Sequence, residues 1–230
     1  MEDSVQGVLG MKWNVEDDTI QISINQRSMS EKVTKRIVLS VVNGVYDPLG
    51  LLAPYIIRAK ILLRKIWAHE PKLDWDDEFP KGIEAEWKDF IKDLQYVHNL
   101  DFTRAATPSD AVGKPMLVIF ADGSGQAYGT VAYLQWKLTS RMFSTHILSA
   151  KSRIAPVKLI DTVRLELSGS TLASRLQSNI LAESAMEIER VLHLIDGEIV
   201  KAMLHRESYG FNTFVGNRLG EIQKNKLPSE

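Results

Sequence analysis

The chain contains no cysteine among its 230 residues. This absence excludes a disulfide-stapled scaffold, a zinc site built on thiolates and a cysteine nucleophile, and it is typical of intracellular proteins. The formal net charge is only −1, so no global positive field attracts nucleic acid, and such a contact must come from local basic patches. We therefore expect an intracellular protein, located in the cytoplasm or the nucleus.

Long uninterrupted hydrophobic runs are also missing. The most apolar stretch, 45–67, is broken by two prolines and by charged residues, among them Asp47 and Arg58. Charges at such positions carry a heavy penalty in a bilayer. The acidic, polar N-terminus lacks the apolar segment of a signal peptide. The sequence therefore predicts neither a membrane span nor a signal peptide.

Several catalytic motifs are absent as well. An aspartic protease needs an Asp-Thr/Ser-Gly triplet, and the chain offers only Asp122-Gly123-Ser124, in the wrong order. It has no Gly-x-Ser-x-Gly elbow, no His-Glu-x-x-His zinc motif and no Gly-x-Gly-x-x-Gly dinucleotide loop. Proteolysis and nucleotide-cofactor chemistry are therefore disfavoured.

The first hundred residues predict a small strand pair followed by helices. VLGMKW and TIQISI are β-favouring runs joined by the polar turn NVEDD. Ser30 is the candidate cap of a first helix, which Asn43-Gly44 ends, and Pro54 begins a second helix that runs to about Trp67. A third helix follows, with one apolar face formed by Ile83, Trp87, Phe90, Ile91 and Leu94.

The second half predicts a mixed α/β domain. Residues 101–114 are small and polar, so we interpret them as a linker between a domain over 1–100 and a domain over 115–230. The order after the linker is β-β-β-α-β-α-α. The strands are PMLVIFA, GTVAYLQW, RMFSTHILSA and IERVLHLI, with a long helix from about Thr162 to Ile180.

Three acids fall at suggestive places in this order. Asp122 ends the first strand, Glu166 lies in the first turns of the long helix, and Asp196 ends the fourth strand. If the first and fourth strands are neighbours, the three carboxylates converge. Like charges raise one another's pKa, and Mg²⁺ or Mn²⁺ relieves the repulsion because hard cations prefer oxygen ligands.

Each acid also has an ordinary structural interpretation. Asp122 suits a turn, Glu166 is favoured by the helix dipole near an N-terminus, and Asp196 suits the N-cap of the helix after it. Only their order along the chain is specific.

That order, with the three-strand meander before it, resembles the ribonuclease H fold and, more narrowly, the BEL/Pao class of retrotransposon polyproteins. The resemblance is carried by YDPLGLLAPYIIRAKILLRKIW, FADGSGQAYGTVAYL, AKSRIAPVKLIDTVRLEL and FNTFVGNRLGEIQ. It implies that Asp122, Glu166 and Asp196 are the catalytic metal ligands. The implied reaction is hydrolysis of the RNA strand of RNA/DNA hybrids, with the rest of the pol polyprotein as a partner.

The resemblance also interprets the N-terminal third. VLGMKW resembles the primer-gripping strand pair that follows the polymerase palm, and the helices after it resemble a thumb or connection region, within a stretch associated with the Pao peptidase family. No Tyr-x-Asp-Asp run is present, since Asp17-Asp18 and Asp76-Asp77 lack that context. We therefore expect a chain that starts after the polymerase site and does not copy nucleic acid.

Two departures from the family affect the expected activity. Asp196 is followed by Gly197-Glu198 instead of a small polar residue, and the chain stops at KNKLPSE, before the strand and helix that carry a fourth acid. Glu221 is interpreted as a solvated helix acid. We therefore expect a C-terminally incomplete domain with weak or no cleavage. The alternative is a non-catalytic relic or an interaction module.

Basic residues supply the candidate nucleic-acid contacts. They lie on the second predicted helix and beside the third strand of the second domain: Arg58, Lys60, Arg64, Lys65, Lys151 and Arg153. Acidic residues nearby leave an equal alternative, a solvated charged face.

Overall fold

The protein is seen in a computed structural model, which describes residues 5–8, 11–24, 33–97, 99–158 and 160–225. The mixed α/β class is confirmed by its helices and its two sheets. The chain divides into two compact units. One comprises Met1–Pro48 and Leu52–Ala105, and the other comprises Leu49–Leu51 and Ala106–Glu230.

The first unit contains a small antiparallel sheet in the order β1-β2-β3-β4. Its strands are β1 (Val5–Val8), β2 (Met11–Asn14), β3 (Thr19–Ile22) and β4 (Phe102–Thr103). A single strand over VLGMKW is therefore wrong, because Val8 pairs with Met11 and the run folds back on itself as a hairpin. Residues 9–10 lie outside the described part.

Three helices complete this unit: α1 (Lys35–Gly44), α2 (Ala53–Ala68) and α3 (Lys81–Val97). Thr34 caps α1, accepting a hydrogen bond from the backbone N–H of Ile37 at 3.4 Å. The predicted cap Ser30 lies outside the described residues. The predicted break after Asn43 and the start of α2 at Pro54 are confirmed, because Gly44 ends α1 and the proline occupies the first turn of α2.

The second unit follows the predicted order. It contains β5 (Ala111–Gly123), β6 (Ala127–Leu138), β7 (Phe143–Ile154), α4 (Thr162–Glu183), β8 (Arg190–Ile195), α5 (Glu198–Leu204) and α6 (Thr213–Asn225). The strands form one sheet in the order β7-β6-β5-β8. Strands β5, β6 and β7 pair antiparallel, whereas β8 pairs parallel to β5.

The core of this unit lies between the sheet and α4. The apolar side chains of the helix, including Ala173 and Leu176, pack on Leu117, Ile119 and Leu134 of the central strands. A second apolar cluster joins α4 to α5 and α6, and its buried members are Leu167, Val200, Val215, Leu219 and Ile222. Helix α4 is therefore covered on two sides.

The segment 101–114, predicted to be a linker, carries secondary structure at both ends, β4 at its start and the first residues of β5 at its end. Its residues from Ala106 onward belong to the second unit, and their carbonyls accept hydrogen bonds within that unit. The indole N–H of Trp136 donates to the carbonyl of Ala106 at 2.8 Å, and the N–H of Thr139 donates to that of Asp110 at 3.1 Å. The polar composition of this segment therefore gave no indication of its backbone hydrogen bonds.

No helix within the described ranges is long and apolar enough to cross a membrane.

Candidate catalytic site at the ends of strands β5 and β8

Asp122 and Asp196 lie side by side at the ends of two neighbouring strands. Strands β5 and β8 run parallel, and the last register pair joins Ala121 to Ile195. The next residue on each strand is the predicted acid. Because neighbouring strands are about 4.8 Å apart, the two aspartates occupy adjacent positions. The two strands are therefore neighbours, which is the condition under which the sequence predicts that the acids converge.

Helix α4 contacts the same edge of the sheet at two glycine positions, one on the strand and one on the helix. A Cβ on Gly123 would overlap the backbone of Leu165 and Glu166, and a Cβ on Gly169 would stand 2.7 Å from the carbonyl oxygen of Asp122. With hydrogen in both places, the backbone of the helix rests directly on the end of β5. This contact brings Glu166 to the strand ends.

The side chain of Glu166 extends towards β8. A Cβ on Gly197 would collide with the Oε2 atom of Glu166, so the glycine after Asp196 leaves the space that this carboxylate occupies. Burial raises the pKa of Glu166, and the nearby carboxylates of Asp196 and Asp122 raise it further. The three predicted acids are therefore within electrostatic range of one another.

Asp122 and Glu166 reach this end of the sheet from different sides. Strand alternation assigns exposed Asp122 to the sheet face opposite the one that carries buried Ala121 and Gly123, which face α4. Glu166 approaches from the α4 side. In the part of the chain that the structure describes, no three acidic or histidine side chains form a group that could hold a metal ion.

The chemistry of the donors nevertheless suits a hard divalent cation. All three are carboxylates, and none forms an ion pair with a lysine or arginine among the described residues. Like charges without a cationic partner stabilise a bound Mg²⁺ or Mn²⁺. If a divalent ion binds at this end of the sheet, Asp122, Glu166 and Asp196 are the donors that would hold it.

Two of the ordinary interpretations do not account for these acids. Gly197 is the N-cap of α5, and it makes no side-chain capping bond, so Asp196 is not that cap. Asp161 caps α4, and the first turn of that helix contains no acid, so Glu166 lies beyond the first turn. Asp122 does take a local bond, since its Oδ1 atom accepts from the N–H of Gly123 at 2.6 Å.

The glycines of the site were not anticipated from the sequence. Each of Gly123, Gly169 and Gly197 follows one of the acids, by one, three and one positions respectively. This pairing of an acid with a glycine was the available signal. Its meaning depends on which backbone segments touch, which only the fold shows.

The basic residues of α2 are partly engaged within their own unit. Arg58 pairs with Asp93 at 2.8 Å, and Lys65 pairs with Glu86 at 2.7 Å, so both cations join α2 to α3. Their charge is thus offset locally. This favours a structural role for these two residues over a free nucleic-acid surface, while Lys60 and Arg64 are half-buried beside them.

Lys151 and Arg153 are both exposed on β7. They stand opposite Thr130 and Tyr128 of β6, so they share one face of the sheet. They lie opposite the first residues of β6. Asp122 pairs with Gly129 in the same part of β6, so all three residues are at the same end of the sheet.

Strand order, the helix across the strand ends and the three acids together define a ribonuclease H-like α/β domain. The family model for the Pao retrotransposon-like RNaseH-like domain matches residues 34–197, more than two-thirds of the chain and all three acids. The chain therefore belongs to this family and is a fragment of a BEL/Pao retrotransposon polyprotein. The family's description names a ribonuclease H-like domain and no peptidase. No match to a curated protein was found.

Proposed function

We propose that this chain is a divalent-metal-dependent nuclease module that hydrolyses the RNA strand of RNA/DNA hybrids. One observation carries the proposal. The parallel pairing of β5 with β8 sets Asp122 beside Asp196, and the carboxylate of Glu166 interacts electrostatically with both. The family of the chain supports the same reaction class.

Each acid has a distinct part in this proposal. Asp122 and Asp196 are exposed at the strand ends, where they can meet a phosphodiester and bind Mg²⁺ or Mn²⁺. The half-buried Glu166 completes the donor set from the helix. A bound divalent ion would supply Lewis-acid stabilisation of charge on the reacting phosphate.

The proposed partners are nucleic acid and the rest of the pol polyprotein. A phosphodiester backbone needs cationic contacts beside the acids, because the carboxylates alone repel it. Lys151 and Arg153 on β7 are exposed at the same end of the sheet, on the face from which Glu166 approaches, and they suit this role. Arg58 and Lys65 are weaker candidates, since each already binds a carboxylate of α3.

The test is cleavage of a labelled RNA/DNA hybrid by the whole chain in Mg²⁺ or Mn²⁺, with EDTA as the metal-free reference. Asp122→Asn should reduce cleavage at least about a hundredfold, since even groups that only support metal ligands are worth 10- to 100-fold. Asp110→Asn is the matched control and should leave the rate unchanged, because this exposed acid precedes β5 at the end of the strand far from Asp122. Cleavage that persists in Asp122→Asn would refute the assignment.

A non-catalytic interaction module is the second candidate. The observation that favours it is the lack of an assembled metal-binding group among the described residues. It predicts that the hybrid binds but is not cut at any concentration of Mg²⁺ or Mn²⁺. The wild-type rate in the same assay also tests the expectation of weak cleavage.

A further inference from the structure

A cluster of arginines lies between α4 and α6, outside the carboxylate site. The guanidinium of Arg218 stacks on the ring of Phe214, 3.6 Å from the ring centroid, and that of Arg164 lies 5.6 Å from the same centroid. Arg175 of α4 binds Glu221 of α6 through two hydrogen bonds of 2.5 and 2.8 Å. Glu221, interpreted from the sequence as a solvated helix acid, is 34% exposed and in addition has a cationic partner, because α6 packs on α4.

The charges of this cluster do not balance. Arg164 pairs with Asp161 at 3.2 Å, and Arg175 pairs with Glu221. In the described part of the chain, Arg218 has no carboxylate within ion-pair distance, and one of its N–H groups donates to the carbonyl of Phe214 at 3.0 Å. Burial lowers the pKa of Arg218, which is the cost of holding a partly desolvated cation without its own anion.

The cluster adjoins the proposed catalytic site. Tyr128, the second residue of β6, pairs with Gly123, the residue after Asp122. The phenol of Tyr128 is close enough to Arg175 and Arg218 to affect the pKa of both guanidinium groups. Tyr128 therefore lies at the strand end that carries Asp122, within electrostatic range of both arginines.

The same surface continues onto β7. Arg153 stands opposite Tyr128 in the strand register, and it is exposed. Arg153 is thus a direct neighbour of Tyr128 in the sheet, and Arg218 lies within electrostatic range of the same phenol. Neither arginine has a carboxylate within ion-pair distance among the described residues. A surface with unpaired guanidinium groups and a phenol suits an anion with several acceptor oxygens.

We propose that Arg218, Arg175 and Tyr128 bind a backbone phosphate of the nucleic acid on the α4 side of this sheet end, the side from which Glu166 approaches the two aspartates. The inference rests on the proposed function and names residues that position its substrate. The planar guanidinium of Arg218, already oriented by stacking on Phe214, presents its remaining N–H donors with little further loss of freedom. The phenol of Tyr128 supplies one more donor.

Binding of a labelled RNA/DNA hybrid tests the proposal, with every variant built on Asp122→Asn so that cleavage does not interfere. Arg218→Ala should weaken binding about eightfold at 0.1 M salt and flatten the slope of log K against log salt by about one. Arg218→Lys keeps the charge but loses the planar guanidinium, and its affinity for the hybrid should lie between those of the parent and Arg218→Ala. Lys137→Ala removes a charge nine residues along β6 from Tyr128, and it should change binding much less.

Glu221→Gln provides the opposite test, because it removes the one carboxylate that competes with phosphate and keeps every cation. It should strengthen hybrid binding severalfold. Circular dichroism establishes that each variant is folded. If Arg218→Ala unfolds, Glu221→Gln and Arg218→Lys decide the question.

The outcomes separate this inference from the proposed function. Hybrid that binds and is cut by the wild type, with affinity and salt slope unchanged in Arg218→Ala or Glu221→Gln, would overturn the phosphate site alone. A parent chain that binds no hybrid at any salt concentration would overturn both. The expected pair, weaker binding in Arg218→Ala and stronger binding in Glu221→Gln, supports the site whether or not cleavage is fast.

Discussion

At the scale of single residues, the candidate site depends on glycines as much as on acids. Gly169 and Gly123 let the backbone of α4 rest on the end of β5, and Gly197 leaves room for the carboxylate of Glu166. Larger side chains at these positions would separate the helix from the strand ends. The spacing between the three acids follows from these backbone contacts.

Gly169→Ala should therefore destabilise the protein, although alanine is the better helix former. Its Cβ would stand 2.7 Å from the carbonyl oxygen of Asp122, a backbone atom that cannot rotate away. We expect a loss of about 1–3 kcal/mol in the free energy of unfolding, as for overpacked cores, measured by urea denaturation.

Gly220→Ala is the control for this prediction. Gly220 also lies inside a helix, α6, but its Cβ would meet only the side chain of Ser208, at 3.5 Å. Alanine should be neutral there or stabilising by up to about 1 kcal/mol, through helix propensity alone. Equal effects of the two substitutions would show that the contact between Gly169 and Asp122 does not constrain the fold.

At the scale of secondary structure, α4 is the element that joins the sheet, the other helices and the site. Small polar residues are buried along it, and their hydroxyl groups donate back to carbonyls one turn earlier, as Ser168 does to Arg164 at 2.7 Å and Thr171 to Leu167 at 2.8 Å. Small, internally satisfied side chains allow the sheet and α6 to approach the helix closely.

The ion pair between Arg175 and Glu221 joins α4 to α6, and it should make stability depend on pH. The hydrogen bond from Arg175 lowers the pKa of Glu221 in the folded state, against the opposing effect of burial. A lowered folded pKa gives stability that is present above the unfolded value, about 4.3, and is lost as the pH falls through the folded value.

Glu221→Gln should therefore cost stability at pH 7 and little at pH 3.5. The side chains of Arg175 and Glu221 are 53% and 34% exposed, so solvent screening limits the difference to less than about 1 kcal/mol. Urea denaturation of the wild type and the variant at both pH values measures it. If the difference in free energy of unfolding between the wild type and Glu221→Gln were the same at pH 7 and pH 3.5, that result would contradict a stabilising role for this ion pair.

At the scale of the whole molecule, the three acids concentrate negative charge without a lysine or arginine partner among the described residues. Such a site is a cost to the folded state, and the divalent cation proposed above would reduce it by binding there. Binding to the native state alone stabilises it by RT ln(1 + [L]/Kd). The stability of the chain should therefore report on metal binding even without cleavage.

Millimolar Mn²⁺ should raise the melting temperature of the wild type and leave that of Asp122→Asn nearly unchanged. At ten times Kd the gain is about 1.4 kcal/mol, which corresponds to roughly 3–5 °C for a chain of this size. Asp110→Asn is again the control and should respond like the wild type. An equal response of all three proteins would indicate binding elsewhere on the surface.

The sequence alone determined much of this protein, wherever the information is local. Proline and glycine set the ends of α1 and α2, and the apolar spacing of Trp87, Phe90 and Leu94 marks the buried face of α3. The order of the second unit follows from the same local signals. Backbone dihedral preferences and side-chain periodicity act over a few residues, so a sequence displays them directly.

Only the tertiary structure decided what lies next to what. The parallel pairing of β5 with β8, the contact of Gly169 with Asp122 and the ion pair from Arg175 to Glu221 join residues 46 to 74 positions apart. The run VLGMKW also gave no local sign that it contains the hairpin between β1 and β2. These contacts depend on how whole elements pack to bury apolar surface, and no local pattern of residue types encodes that arrangement.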